Sequence, residues 1–193
     1  MKSEIHLFII WSNAINEYNT IISDLKKRFD IIEVTQINWS QELFSSNLSR
    51  FYGTNLPDGS HKERHCGREK FVSIIVRDRN PVYDYRSTTA GQALVNTNMF
   101  DAKEAYRKMT GGGHKIHATN TTSESAHDVM LLFEKDLKEY SAIPMYSVWD
   151  GQIKSVSRDL PGSRGWRSIE HLFQILNATI PYVVLRNFEC LPN

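Results

Sequence analysis

Apolar positions along this chain follow two rhythms, and the change from one to the other marks its elements. Leu7-Phe8-Ile9-Ile10-Trp11 is an unbroken β-rich run, the pattern of a fully buried strand. After Ser12-Asn13, a turn or helix cap, Ile15, Tyr18, Ile22, Leu25 and Phe29 recur at helical spacing. Lys26, Lys27 and Arg28 crowd the last turn, where cations suit the helix dipole. Ile31 to Trp39 is mostly alternating and β-branched, which predicts a second strand. Ser40 to Arg50 predicts an amphipathic helix capped by Ser40, with Leu43, Phe44 and Leu48 apolar. Gly53 to Gly67 is polar and turn-rich, and reads as a surface excursion.

Phe71 to Val76 is the strongest strand signal, ending in a loop at Asp78-Arg79-Asn80-Pro81. Thr88 to Val95 reads as a short helix, Asn96 to His114 as a polar, basic, glycine-rich stretch, and Lys115-Ile116-His117 as a short strand. Thr121-Thr122-Ser123-Glu124 has capping-box spacing, and Ala126, Val129, Met130 and Phe133 carry a helix after it. This order predicts an α+β fold, a ferredoxin-like antiparallel sheet with helices on one face. It occupies residues 1–140. The rhythm changes after Pro144, where a small α/β segment, residues 144–193, is expected to open a second domain that is cut short. The alternative is that it packs onto the first. Val148-Trp149-Asp150-Gly151-Gln152-Ile153 has a hairpin signature, Ile169 to Leu176 a helix, and Tyr182 to Arg186 a strand.

Composition narrows the classes. The 193 residues carry 23 basic and 22 acidic side chains, so charge makes no case for a nucleic-acid partner. No apolar run is long enough to span a bilayer, and the N-terminus lacks a signal-peptide pattern. Cys66 and Cys190 are too few for a disulfide framework, and a cytoplasmic protein is expected.

The segment Ile116-His117-Ala118-Thr119-Asn120-Thr121-Thr122-Ser123-Glu124, continuing to Asp128 and Phe133, bears the candidate chemistry. A neutral imidazole can accept a phosphoryl group on one ring nitrogen if the other donates to a carboxylate, provided cations and amides face the phosphoryl oxygens. Arg107, Lys108, His114, Lys115 and the amides of Gly111, Gly112 and Gly113 stand close to His117 in sequence. The segment resembles the active-site stretch of nucleoside-diphosphate kinases, I-H-G-S-D-S followed by a helix. Thr97-Asn98-x-x-Asp101-x-Lys103, followed by Arg107, is similar to that family's T-N-P-x-D-x-K…R. The resemblance covers roughly the first two-thirds of the chain.

It implies a phosphotransferase in which His117 accepts the phosphoryl group and Asp128 orients it. Thr97, Lys103, Arg107, Gly112, Gly113, His114, Thr119 and Asn120 would bind phosphates or nucleotide, with Mg²⁺ accompanying the nucleotide. It also implies a homo-oligomer.

The departures point to a diverged relative. Ile10-Trp11-Ser12-Asn13 stands where the family keeps I-K-P-D with its phosphate-binding lysine, and His117-Ala118-Thr119-Asn120 replaces H-G-S-D. The alternative is therefore a non-catalytic module that binds a protein partner or supports an adjoining transferase domain. The stretch Tyr182 to Pro192 resembles the lead-in to nucleotidyltransferase-fold domains of bacterial surface-polysaccharide proteins, implying a role in polysaccharide or nucleotide-sugar metabolism.

Three smaller patterns carry less weight. His61-x-x-x-His65-Cys66 has helical zinc-ligand spacing, but without a second ligand pair a surface loop is favoured. Glu124, His127 and Asp128 share a helix turn and are ordinary on an exposed face, so no metal ligands are assigned. Arg50-Phe51-Tyr52-Gly53 reads as a helix end with aromatic core residues rather than a pocket wall.

Overall fold

A computed structural model describes residues 3–88, 91–145 and 149–160. The chain begins with β1 (Glu4–Ile10), a 3₁₀ turn over Ser12–Glu17, α1 (Tyr18–Arg28) and β2 (Asp30–Asn38). A second 3₁₀ turn, Gln41–Leu43, leads into α2 (Phe44–Tyr52), followed by α3 (His61–Cys66) and β3 (Phe71–Asp78). Next come β4 (Tyr83–Thr88), β5 (Gly91–Asn96), α4 (Thr97–Met109) and β6 (Ile116–Ala118). The last described elements are α5 (Thr122–Phe133), α6 (Leu137–Ser141) and β7 (Ile153–Ser157).

Five strands make one sheet in the order β6–β1–β3–β2–β7. The first four are antiparallel, compatible with the expected ferredoxin-like arrangement, and β7 joins the far edge parallel to β2. The fold is a mixed α+β one, but its helices cover both faces of the sheet rather than one. Successive strand residues point to opposite faces, and both sets here are buried. Phe8, Ile10, Val72, Ile74 and Val76 pack with Ile21, Ile22 and Leu25 of α1 and Met99, Ala102 and Tyr106 of α4. Ile5, Leu7, Ile9, Trp11, Phe71 and Ile75 pack with Phe44, Leu48 and Phe51 of α2, Val129 and Leu132 of α5 and Tyr140 of α6. The unbroken run at β1 already required this, since a strand covered on one side alternates with polar residues.

Three other expectations change. The segment from Gly53 to Gly67 holds α3, not only loop: Ser60 Oγ accepts the Glu63 N–H, and the buried Glu63 carboxylate accepts from Ser45 Oγ at 2.6 Å and pairs with Arg68 at 3.3 Å. Where a helix is expected over Thr88 to Val95, Thr88 ends β4 and Gly91 to Val95 lie in β5, the two strands paired from Tyr83↔Asn96 to Thr88↔Gly91. The hairpin is mostly exposed, so its sequence lacks the apolar alternation that marks a half-buried strand. Ser40 does not cap a helix with its side chain; its Oγ donates to Asp159, which also takes the Asn47 amide at 2.7 Å.

Asp159 ties the described end of the chain to this body, and Leu160 is buried in the second core. Asp150-Gly151 does turn, with Gly151 at φ +87°. The first arm of the expected hairpin at Val148, the helix at 169–176 and the strand at 182–186 lie outside the described residues. Among the described residues, no helix is long and apolar enough to cross a membrane.

Candidate functional site

β6 is only three residues long, and it places His117 by simple alternation. Ile116 and Ala118 face the first core, while His117 lies opposite Ile9 and turns to the α2–α5 side. There its Nε2 lies 2.8 Å from Asp128 Oδ2 of α5. Thr121 Oγ1 caps α5 by accepting the Glu124 N–H, which fixes the helix that presents Asp128. The capping box is not closed in the usual way, because the Glu124 carboxylate accepts from the Asn120 N–H at 2.6 Å rather than from the cap residue. The second oxygen of Asp128 lies 3.0 Å from His127 Nδ1.

Phe51 and Tyr52, at the end of α2, meet the His117 ring edge-on at centroid distances of 5.2 and 5.7 Å. They are core aromatics, as expected of a helix end, and they also wall the histidine. Trp11 Nε1 donates to Tyr52 Oη at 3.1 Å. Burial raises the Tyr52 phenol well above its ordinary value, so it stays protonated. Lys62 of α3 holds its ammonium 3.8 Å from the Tyr52 ring centre, a cation–π contact with that wall. Partial burial, with Arg107 nearby, lowers the Lys62 ammonium from its ordinary value. With Nε2 given to Asp128, Nδ1 of His117 makes no hydrogen bond among the described residues.

The other residues singled out from sequence fall into two groups. Arg107 lies by the site: its Nε donates to the Ile116 carbonyl at 3.0 Å, and its charge is felt at Tyr52, Lys62 and His114. Lys103 is buried, donates to Asn120 Oδ1 at 2.6 Å, and is held down to about 8 by desolvation and then by Arg107. Thr97 Oγ1 donates to the Val82 carbonyl, anchoring α4 to the β4–β5 hairpin. Thr119 is fully buried and accepts from the Leu7 N–H, so its hydroxyl serves the β1–β6 junction. The Gly111 and Gly112 amides donate to the Lys108 and Arg107 carbonyls, where they finish α4, and Lys115 Nζ donates to the Thr110 carbonyl. These amides are thereby already engaged.

Gly113 and His114 lead elsewhere. Gly113 has φ +79°, and a Cβ there would lie 2.4 Å from the His65 ring. His114 lies beside His61 and His65, and burial, then Lys62 and Arg107, push it down to about 4. Burial with neighbouring His61 lowers His65 as well. Cys66 is outside this group: its buried thiol points to the His114 carbonyl at 3.6 Å and is pushed up to about 12 by desolvation.

Sequence reasoning missed Lys62. The signal was present, because Ser60-His61-Lys62-Glu63 is an S-x-x-E helix start within a stretch dominated by turn residues. Clefts of about 290 and 340 Å³ open elsewhere, beside Trp149 and beside Asn98, and neither reaches His117.

No family model and no curated protein matches the chain. Among solved structures it is similar to the nucleoside diphosphate kinase of Aquifex aeolicus in an orthorhombic crystal form. The TM-score is 0.42 and the identity 12%, over 66% of this chain and 92% of that one. A likeness of that size carries no argument about function. The functional reading therefore stands on the geometry around His117.

Proposed function

We propose that the chain is a nucleotide- or phosphometabolite-binding domain that transfers a phosphoryl group through a phosphohistidine at His117. The observation that carries this reading is the 2.8 Å pairing of His117 Nε2 with a buried aspartate. That pairing selects the tautomer with hydrogen on Nε2 and leaves a lone pair on Nδ1. Nδ1 attacks the terminal phosphorus of the donor, the phosphorus–oxygen bond to the leaving group breaks, and that bond's electrons depart with the leaving oxygen. Asp128 keeps the Nε2 proton hydrogen-bonded as the ring gains positive character. Transfer to an acceptor oxygen reverses the step.

In this reading Arg107, bonded to the carbonyl of Ile116, and Lys62, lying over the Tyr52 ring that borders His117, neutralise the phosphoryl oxygens. Lys62, arriving from α3, thereby supplies the charge missing at Ile10-Trp11-Ser12. Tyr52, less buried than Phe51, is the aromatic that would meet a base or sugar. Mg²⁺ enters as the counter-ion of the nucleotide's own phosphates, because the nearby carboxylates are engaged: Asp128 by two imidazoles and Glu124 by the Asn120 amide. Assembly into a homo-oligomer belongs to the same proposal. The polysaccharide context rests on residues outside those described and supports no part of it.

The alternative, a non-catalytic module serving a protein partner or an adjoining transferase domain, is favoured by one set of observations. Thr97, Lys103, Thr119 and the Gly111 and Gly112 amides all have intramolecular partners. The deciding experiment incubates the protein with γ-labelled ATP or GTP and Mg²⁺. An acid-labile, alkali-stable label that disappears in His117→Ala supports phosphotransfer. Absence of both label and nucleotide binding by calorimetry leaves the non-catalytic module.

A further inference from the structure

We propose that His61, His65 and His114 form a binding site for a single borderline divalent transition metal, zinc by the nature of its donors, with one coordination position left open for an anion. This goes beyond the phosphotransfer reading and does not rest on it, since neither His117 nor Asp128 is a ligand.

One ligating nitrogen from each of the three histidines lies within 4.8 Å of the others. A tetrahedral zinc with Zn–N near 2.0–2.1 Å holds its donors roughly 3.4 Å apart. The remaining closure is small, and His61 is the exposed member, free to swing in. His61 and His65 are one helical turn apart on α3, and their rings lie 4.1 Å centre to centre. The third ligand comes from the turn before β6, its ring 5.7 Å from that of His65.

The scaffold under these side chains is fixed at several points. Ser60 caps α3, and Glu63 is buried beneath it. Asn13 Nδ2 donates to the Arg64 and His65 carbonyls. Gly67 closes the helix against Ser12, where a Cβ would come within 2.2 Å of the hydroxyl. On the other side, the absence of a side chain at Gly113 lets the turn approach His65. Cys66 Sγ, the third member of the pattern visible in sequence, faces the His114 carbonyl instead, so His114 replaces it in the ligand set.

The charges around the cluster shape what it holds. Arg64 and Lys115 act on His65, and Lys62 and Arg107 on His114. With three neutral imidazoles as ligands, a divalent ion keeps its full charge among these cations. An anion in the open position, such as hydroxide, offsets that repulsion. Without metal, the His114 N–H donates to His65 Nδ1 at 3.3 Å. Ligation through Nδ1 takes up its lone pair, and ligation through Nε2 moves the ring proton onto Nδ1. Either way this hydrogen bond is lost, so loading must be felt at the His114 amide.

The test uses untagged full-length chain stripped with chelator and titrated with Co²⁺, read by visible d–d absorption, then by Zn²⁺ displacement and the amide NMR spectrum. One ion per chain is expected, with a tetrahedral-type band that changes on adding azide and a shifted His114 amide. His61→Ala, His65→Ala and His114→Ala should each weaken binding at least about tenfold, since even outer partners of metal ligands cost 10–100-fold. Gly113→Ala keeps all three histidines but displaces His65 and should also weaken it, with circular dichroism reporting that the fold survives. His117→Ala should leave binding unchanged. No cobalt band overturns the site. So does binding that survives His114→Ala, which would be plain two-histidine chelation, or binding lost in His117→Ala, which would move the ion to His117, Glu124 and Asp128.

Discussion

Two buried histidines on neighbouring strands, His6 of β1 and His117 of β6, are treated very differently by the same fold. His6 is fully enclosed, and both of its nitrogens are in use. Nδ1 lies 3.2 Å from Thr119 Oγ1 and from Ser125 Oγ, and Nε2 lies 3.2 Å from the Glu4 carboxylate and from the Asn96 amide. Asn96 in turn caps α4 and donates to Asp78 at 3.0 Å. His6 therefore joins β1, α5 and the start of α4, and has no nitrogen left for a ligand. His117 has one nitrogen held by Asp128 and stands among aromatic walls, with Arg107 bonded to the carbonyl of the preceding residue. Burial alone does not separate a histidine whose ring is fully engaged from one that keeps a nitrogen open. The number of ring nitrogens already engaged, and what faces the remaining one, does.

The sharpest way to break this comparison is to exchange the partner of His117. Asp128→Asn can still hold the ring but presents no charge to the imidazole. The rate of histidine labelling should fall about 10²-fold or more while the melting temperature moves only a few degrees. Equal labelling by the variant would remove Asp128 from the chemistry.

His6→Ala should do the reverse. It removes one partner each from the Thr119 and Ser125 hydroxyls, the Asn96 amide and the Glu4 carboxylate and leaves a cavity among them, and should cost about 2–4 kcal/mol in urea unfolding, with labelling per folded molecule preserved. A loss below about 0.5 kcal/mol would show that the network does not hold the elements together.

pH tests the structural role of His6 further. Burial lowers His6 from 6.5, and burial with neighbouring cations holds His114 at about 4. The unfolded chain takes up these protons first, so stability should be full above about 6.5 and decline as pH falls toward 4. In His6→Gln the decline should be shallower. Urea melts at several pH values would show whether the two slopes instead coincide.

Smaller effects sharpen the picture of the wall. Lys62→Ala should slow labelling roughly tenfold while leaving stability within about 0.5 kcal/mol, as expected of a cation at the edge of the site. Unchanged rates would assign Lys62 to the Tyr52 ring alone. Tyr52→Phe removes the acceptor of the Trp11 N–H and the phenol's hydrogen bond with the Cys66 thiol, and should cost about 1–2 kcal/mol, with little change in rate. A rate loss comparable to that of Asp128→Asn would mean the phenol contacts substrate.

Much of this was legible along the chain. The runs at Leu7–Trp11 and Phe71–Val76 became the two central strands, and the Thr121-x-x-Glu124 cap located α5. His117 and Asp128 stand only 11 residues apart, across one strand end and one capped helix, so local rules nearly suffice to bring them together. Thr97, Thr119 and the glycine amides were legible as residue types but not in their engagements, because a hydroxyl or N–H shows its partner only once packing has occurred. The β4–β5 hairpin was read as a helix because an exposed ribbon carries little hydrophobic period, and α3 was passed over among turn residues despite its cap.

The sequence by itself determined the rhythm of strands and helices, the buried character of the central strands, and the strand-end histidine followed by a capped helix with its acid. These depend on chain geometry and contacts between near neighbours, which repeat wherever the pattern repeats. Only the tertiary structure decided that both sheet faces are covered, that Lys62 approaches Tyr52 from α3, that His114 rather than Cys66 joins His61 and His65, and that His6 has no free nitrogen. Those are meetings of segments from ten to more than a hundred residues apart. They are set by which elements the sheet order brings side by side, and no local pattern along the chain carries that information.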